Sequence, residues 1–220
     1  MIRHFLQEIY PQKCVLCQRI LPANVNDLCH TCRKDIPQFT YAKKKISFVA
    51  GWVCLWYYSG VVRHSLLQFK FHHKRSNGKV YGRLLAMRLM DEGLTDFDVL
   101  TYVPISFLRK LRRGYDQMQV ITKYVAEELG VPYTRTLIKR RHNPAQSGIV
   151  GVAQRRANVL NTYRVAKDVD IQGKKILLLD DIITTGSTLS ECARVLLTAG
   201  ASEVKCAAVA ASEEITKVKR

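Results

Sequence analysis

From position 176 to 189 the chain reads Ile-Leu-Leu-Leu-Asp-Asp-Ile-Ile-Thr-Thr-Gly-Ser-Thr-Leu, and no other segment limits its fold so tightly. Four apolar residues in succession, Ile176, Leu177, Leu178 and Leu179, suit a strand covered on both faces of a sheet. Asp180 and Asp181 are expected to end that strand as a carboxylate pair. Thr184, Thr185, Gly186, Ser187 and Thr188 then form a hydroxyl-rich turn, and residues 189–197 carry helical apolar spacing. Backbone N–H groups of such a turn, with the positive end of the helix behind them, can hold a phosphate. The carboxylates fall where they can accept hydrogen bonds from sugar hydroxyls or from water around a magnesium ion. An acidic strand end before an ordinary capped helix would also use Ser187 and Thr188, but it leaves the rest of the order to coincidence. A P-loop is excluded, because Gly-x4-Gly-Lys-Ser/Thr does not occur.

These residues resemble the 5-phosphoribosyl-1-pyrophosphate (PRPP) binding motif of type I phosphoribosyltransferases. That motif places two acidic residues among apolar ones, followed by Thr-Thr-Gly and a further hydroxyl residue. The resemblance implies that Asp180 and Asp181 contact the ribose hydroxyls and hydrated Mg2+. It implies equally that Thr184, Thr185, Gly186, Ser187 and Thr188 hold the 5-phosphate.

The front of the chain has a different grammar. Cys14 and Cys17 form one Cys-x2-Cys, Cys29 and Cys32 a second, with eleven residues between the pairs. Each pair puts two thiolates on one tight turn, and two such turns can complete a tetrahedral sulfur site. So short a segment has little core of its own, so a bound Zn2+ would serve mainly to fold it. Four cysteines leave no position for a catalytic water, which makes the role structural. Disulfides are disfavoured in a cytosolic protein, and free thiols are the remaining alternative. His30 is a substitute ligand in principle and reads better as a surface residue. Cys54, Cys192 and Cys206 stand among apolar neighbours and read as core.

A net charge of +17 on 220 residues predicts attraction to polyanions: phosphorylated metabolites, nucleic acid or an anionic membrane surface. The plain alternative is a solvated basic face. The charge is clustered between positions 63 and 88, which include His72, His73, Lys74 and Arg75, and again at Arg109, Lys110, Arg112 and Arg113. Two further clusters are Lys139, Arg140 and Arg141, and Arg155 with Arg156. So large an excess exceeds what a phosphate-binding site needs and favours contact with nucleic acid. No run of about 18 apolar residues is present to span a membrane, the N-terminus has no long apolar leader, and a cytoplasmic protein is expected. Residues 1–10 read as a short amphipathic helix.

Two units are expected, a zinc-ribbon segment over residues 1–45 and an α/β domain over 46–220. Within the second, strands are expected at 49–58, 97–103, 134–138, 161–165, 175–180 and 204–209, and helices at 61–69, 80–90, 117–129 and 189–197. Alternation of this kind implies a parallel sheet flanked by helices, with ligands bound beyond the C-terminal strand ends. Two loops should complete the site. One is the basic stretch 104–117; the other is 139–160, which reads either as a functional lid or as plain disorder.

Taken in order, the segments resemble the ComF family, in particular its ComFC-type competence proteins. The resemblance rests on the four cysteines, Phe69-Lys70-Phe71, Val103-Pro104, Arg113-Gly-Tyr-Asp-Gln117, Asn143-Pro-Ala-Gln-Ser-Gly148, Arg155-Arg-Ala-Asn158 and the acidic motif. Where that family usually has Asn, this chain has Asp116, an added negative charge beside an anion site, and no ligand role is assigned to it. The resemblance implies a type I phosphoribosyltransferase-like fold behind a four-cysteine zinc ribbon. It also implies a part in natural transformation: passage of single-stranded DNA into the cytosol alongside a helicase-like competence ATPase. Arg109, Arg112 and Arg113 would then serve either the pyrophosphate or DNA. An active phosphoribosyltransferase, moving phosphoribose from PRPP to a nucleobase or amine, is the competing expectation; no acceptor-recognition element is legible.

Overall fold

The computed structural model describes residues 11–40, 45–72, 74–140 and 159–212. In chain order its elements are α1 (His30–Asp35), β1 (Gly51–Tyr57), α2 (Gly60–Phe71), α3 (Asn77–Asp91), β2 (Val99–Tyr102), α4 (Phe107–Arg113), α5 (Gln117–Leu129), β3 (Leu137–Lys139), β4 (Tyr163–Val165), β5 (Lys175–Ile183), α6 (Ser187–Thr198) and β6 (Glu203–Ala211). The apolar run ahead of the acidic pair lies inside a four-stranded parallel sheet of order β1-β6-β5-β2.

Both faces of that sheet are covered, as an unbroken apolar strand requires. Leu177 and Leu179 point into one core with Leu66 and Phe69 of α2, Tyr81 and Leu85 of α3, and Ile121 and Val125 of α5. Ile176 and Leu178 point into the other, with Leu189, Cys192 and Leu196 of α6. Burying each large apolar side chain stabilises by about 1.5–3 kcal/mol, so these alternating residues fix the register of β5. Two glycines let α3 and α5 meet closely. A Cβ on Gly78 would lie 2.6 Å from Val120 Cγ1, and one on Gly82 would lie 2.5 Å from Tyr124 Cβ.

The strand continues past the point expected from the sequence. β5 runs through Asp180 and Asp181 to Ile183 because β6 stays paired with it, Asp180 opposite Ala208 and Ile183 opposite Ala211. On the other side β2 stops at Tyr102, opposite Leu179, and Val103 N–H donates the last bond to Leu179 O at 2.9 Å. Beyond Leu179, β5 therefore has a strand neighbour on one side only among the described residues, and the carboxylate pair sits at this step in the sheet. A second departure concerns residues 104–117, expected as a loop: Ser106 caps Arg109 N–H and Gly114 takes a left-handed φ of 76°, so the segment winds into α4. The strand expected at 134–138 begins as a parallel bridge from Tyr133 to Leu100 and becomes β3, paired antiparallel with β4.

Residues 11–40 share an apolar cluster with α2, α3 and α5 through Val15, Leu16, Leu21 and Leu28. An ion pair from Arg83 to Asp27 and a hydrogen bond from the Ser65 hydroxyl to Val15 O tie them down. Their far end adds to the sheet edge, Phe39 N–H donating to Leu55 O of β1 at 2.9 Å. No helix among the described residues is long and apolar enough to cross a membrane. The expectations for residues 1–10, for Arg141 and for the Asn143–Gly148 and Arg155–Asn158 blocks lie outside the described residues.

Candidate functional site

The four cysteines converge. The sulfurs of Cys14, Cys17, Cys29 and Cys32 all lie within 4.8 Å of one another. Zn–S bonds of about 2.3 Å in a tetrahedron give sulfur–sulfur edges of about 3.8 Å. Cys17 and Cys29 are 3.7 Å apart, so the set already has the dimensions of a tetrahedral metal site. A bridge from Lys13 to Ile20 turns the first pair, and Cys29 caps α1 while accepting from Cys32 N–H. That N–H pulls the Cys29 thiol down to about 7. Burial pushes Cys32 up. The donor set fits a metal ion such as zinc. His30 is exposed and not part of the cluster, while Cys54, Cys192 and Cys206 are buried core residues.

The second candidate site surrounds the step in the sheet. Asp181 is buried, and both of its carboxylate oxygens are engaged. Lys70 Nζ, from the end of α2, lies 2.9 Å from Oδ1. Gln117 Nε2, from the start of α5, donates to Oδ2 at 3.0 Å. Asp180 is half-buried and accepts from Asp181 N–H at 2.8 Å. Burial, then the charge of Asp181, raises the Asp180 carboxyl above its usual range. Burial pushes Asp181 the same way, but Lys70 and Gln117 outweigh it and hold its carboxyl below that range. Lys139, at the end of β3, contributes attraction to Asp180; burial and then Arg109 press its ammonium down to about 8.

The turn after β5 closes one side. Thr185 and Ser187 share a hydroxyl–hydroxyl bond of 2.8 Å, and Ser212 donates to Thr184 O at 3.0 Å. Gly186 holds the cap position of α6 with φ of 77°, and a Cβ there would meet Ile46 Cγ1 at 2.9 Å. Only glycine satisfies both demands. Ser187 is buried, whereas Thr184, Thr185 and Thr188 stay partly open.

The three arginines named from the sequence separate. Arg113 is half-buried: its guanidinium lies 5.0 Å above the Phe71 ring, its Nη1 donates to Gln117 Oε1 at 2.5 Å, and Asp181 attracts it. Arg109, one turn earlier, acts on Lys139 and Tyr163. Arg112 is exposed. The opposite face of α4 is apolar and turned outward, with Phe107 76%, Leu108 54% and Leu111 70% exposed. Asp116 caps α5 by accepting from Met118 N–H at 3.0 Å and Gln119 N–H at 3.4 Å. That explains the Asn-to-Asp exchange: either residue caps a helix, and the carboxylate faces the helix start rather than an anion.

Sequence reasoning gave Lys70, Gln117 and Lys139 no individual role, although Gln117 and Lys139 lie at the edges of the two loops expected to complete the site. The signals were thin: a lysine between two phenylalanines, and a glutamine and a lysine at the edges of basic segments.

A model of the phosphoribosyl transferase domain matches residues 82–220. The chain belongs to the phosphoribosyl transferase domain family. Among its relatives is Competence protein F of Haemophilus influenzae, 26% identical over 216 residues, spanning 88% of this chain and 94% of that protein. The resemblance to ComF proteins read from the order of the motifs is thereby borne out. The DNA utilization protein YhgH of Escherichia coli is 28% identical over 142 residues, 63% of this chain and 62% of that protein. Among solved structures, a glutamine PRPP amidotransferase from B. subtilis complexed with ADP and GMP is similar with a TM-score of 0.44 and 25% identity, covering 64% of this chain and 30% of that one. The chain thus has a type I phosphoribosyltransferase-like parallel sheet flanked by helices, with a small N-terminal four-cysteine ribbon.

Proposed function

We propose that the chain binds PRPP at the sheet step and serves in the cytoplasm in handling single-stranded DNA during natural transformation. The observation that carries PRPP binding is the meeting of Asp180, Asp181 and the Thr184–Thr188 turn at the C-terminal end of β5, ahead of α6. In this reading Asp180 and Asp181 accept from the ribose hydroxyls. The Thr184, Thr185, Gly186, Ser187 and Thr188 turn, with the positive end of α6, holds the 5-phosphate. Arg113 faces the pyrophosphate. Adjacent carboxylates suit a hard, oxygen-seeking cation, so Asp180 and Asp181 would hold Mg2+, which neutralises pyrophosphate charge when bound. Cys14, Cys17, Cys29 and Cys32 hold structural Zn2+. Residues 1–45 form the ribbon unit and 46–220 the phosphoribosyltransferase-like unit.

The DNA part draws on the charge of +17, on the names of the relatives and on α4. An exposed phenylalanine one turn from Lys110, on a helix that also carries Arg112, is what a base needs to stack beside a neutralised phosphate. A helicase-like competence ATPase is the expected partner. Binding to single-stranded DNA should weaken steeply as salt rises, and flat or undetectable binding at low salt contradicts this part.

A second reading, phosphoribose transfer to a nucleobase or amine, is favoured by the family match over residues 82–220. Incubation with PRPP, Mg2+ and a panel of bases separates the two. The binding reading expects no acceptor-dependent pyrophosphate release; sustained release at ordinary enzyme rates would establish the transferase.

A further inference from the structure

Lys70 is fixed more firmly than a surface lysine. Phe69, just before it, is fully buried against Tyr81 and Tyr115, with ring centroids 5.5 and 5.9 Å away, and the Tyr115 hydroxyl donates to Phe69 O. Phe71, just after it, is 54% exposed but carries the Arg113 guanidinium 5.0 Å above one face of its ring. The end of α2 is thus anchored through Phe69, and the ammonium reaches Asp181 with its side chain only 15% exposed.

This ion pair is a poor device for stability. Taking two charges out of water costs several kcal/mol per ion, and apolar replacements of similar size often do as well. Its effect on the site is more specific. Asp181 Oδ1 is taken by Lys70 and Oδ2 by Gln117, and Asp180 Oδ1 accepts from the Asp181 N–H. Arg113 bears on Asp181, and Lys139 on Asp180, so further positive charge faces the pair. A bare divalent cation must displace a lysine and enter a positive field. A cation already carried by a pyrophosphate arrives with net negative charge, and offers Lys70 a replacement anion.

We propose that Lys70 guards Asp181: it keeps the carboxylate pair from taking a free divalent cation, and passes to the pyrophosphate when the metal arrives already bound to it. This deepens the reading of the step as a PRPP site and rests on it. Lys70 acts on the metal through Asp181 before the ligand arrives, and on the pyrophosphate directly afterwards.

The test uses the full zinc-loaded chain and Mn2+ as the probe, read by electron paramagnetic resonance with no turnover required. Wild-type protein should bind Mn2+ weakly alone and at least about tenfold more tightly with inorganic pyrophosphate, a step of about 1.4 kcal/mol. Equal affinity with and without pyrophosphate overturns the proposal without any variant. Lys70→Met should bind Mn2+ alone at least about tenfold more tightly than wild type, and Lys70→Arg should restore the weak affinity. Because an unpaired buried carboxylate is destabilising, Lys70→Gln is measured in parallel with thermal melts. Adding Asp181→Asn to Lys70→Met should abolish the gained affinity. Folded Lys70 variants with wild-type Mn2+ affinity overturn the guard alone. Failure of wild-type protein to bind PRPP in a separate titration overturns the reading of the site.

Discussion

The four-cysteine cluster and the carboxylate step are both gatherings of acidic ligands, yet they are built in opposite ways. The cysteines come from two short turns within one segment, and they close on themselves with no position open to water. The carboxylates are adjacent in sequence, but their partners arrive from the ends of α2 and β3 and the start of α5. In the proposed reading the first holds an ion for folding, and the second holds a lysine in the ion's place and remains open to exchange. A permanent site can be encoded locally, whereas an exchangeable one needs competing groups that only the tertiary fold brings together.

Breaking the first region should have the larger effect. Cys14→Ser or Cys32→Ser should release zinc and unfold the ribbon, since structural zinc contributes about 10–16 kcal/mol in isolated finger peptides. The apolar cluster shared with α2 and α3 should then loosen as well. Zinc content and thermal melts check this; a variant that lost its metal but melted like wild type would leave the ribbon without a structural role.

In the second region the largest single change is Asp181→Asn. It removes the negative charge paired with Lys70 and should lower PRPP affinity by about a hundredfold, equivalent to two factors of 1.4 kcal/mol. Next comes Gly186→Ala, which forces a side chain into a left-handed φ of 77° and against Ile46. A destabilisation of about 1–3 kcal/mol, visible in urea unfolding, is expected together with weaker PRPP binding.

The pH response sharpens the contrast more gently. Asp180 is held above its ordinary range, so the folded state binds more protons than the unfolded one as pH climbs past about 3.9. Its contribution to the stability of the ligand-free protein is therefore present at low pH and declines as pH rises through that raised value. Asp181, held low, contributes in the opposite sense, losing stability as pH falls below about 3.9. Melts of wild type against Asp180→Asn between about pH 5 and 8 should show the variant with the flatter profile. Mg2+-dependent PRPP affinity should rise across the same range. The smallest effect is expected at α4, where Phe107→Ala should weaken single-stranded DNA binding by about 1 kcal/mol, the low end for base stacking, and leave PRPP binding unchanged.

Legibility in the sequence followed the same division. α5 was bounded to the residue, because Gly130 ends it in a left-handed conformation and its apolar spacing is regular. The convergence of the four cysteines could be read from spacing alone. The true end of β5 could not, because β6 keeps pairing beyond the acidic residues and nothing local records that. α4 was hidden for a related reason: it buries no residue, so the apolar periodicity that marks a packed helix points outward. Lys70, Gln117 and Lys139 are all distant from the acidic pair along the chain, and only the packing of α2, α5 and β3 around the sheet joins them to it.

The central claim is that the step in the sheet is a PRPP site built on the acidic pair. Calorimetric titration of the zinc-loaded protein with PRPP and Mg2+ tests it most directly, run beside Asp181→Asn. One saturable site in wild type, lost or strongly weakened in the variant, is the predicted result. No binding by wild type, or binding that the variant leaves unchanged, would contradict it.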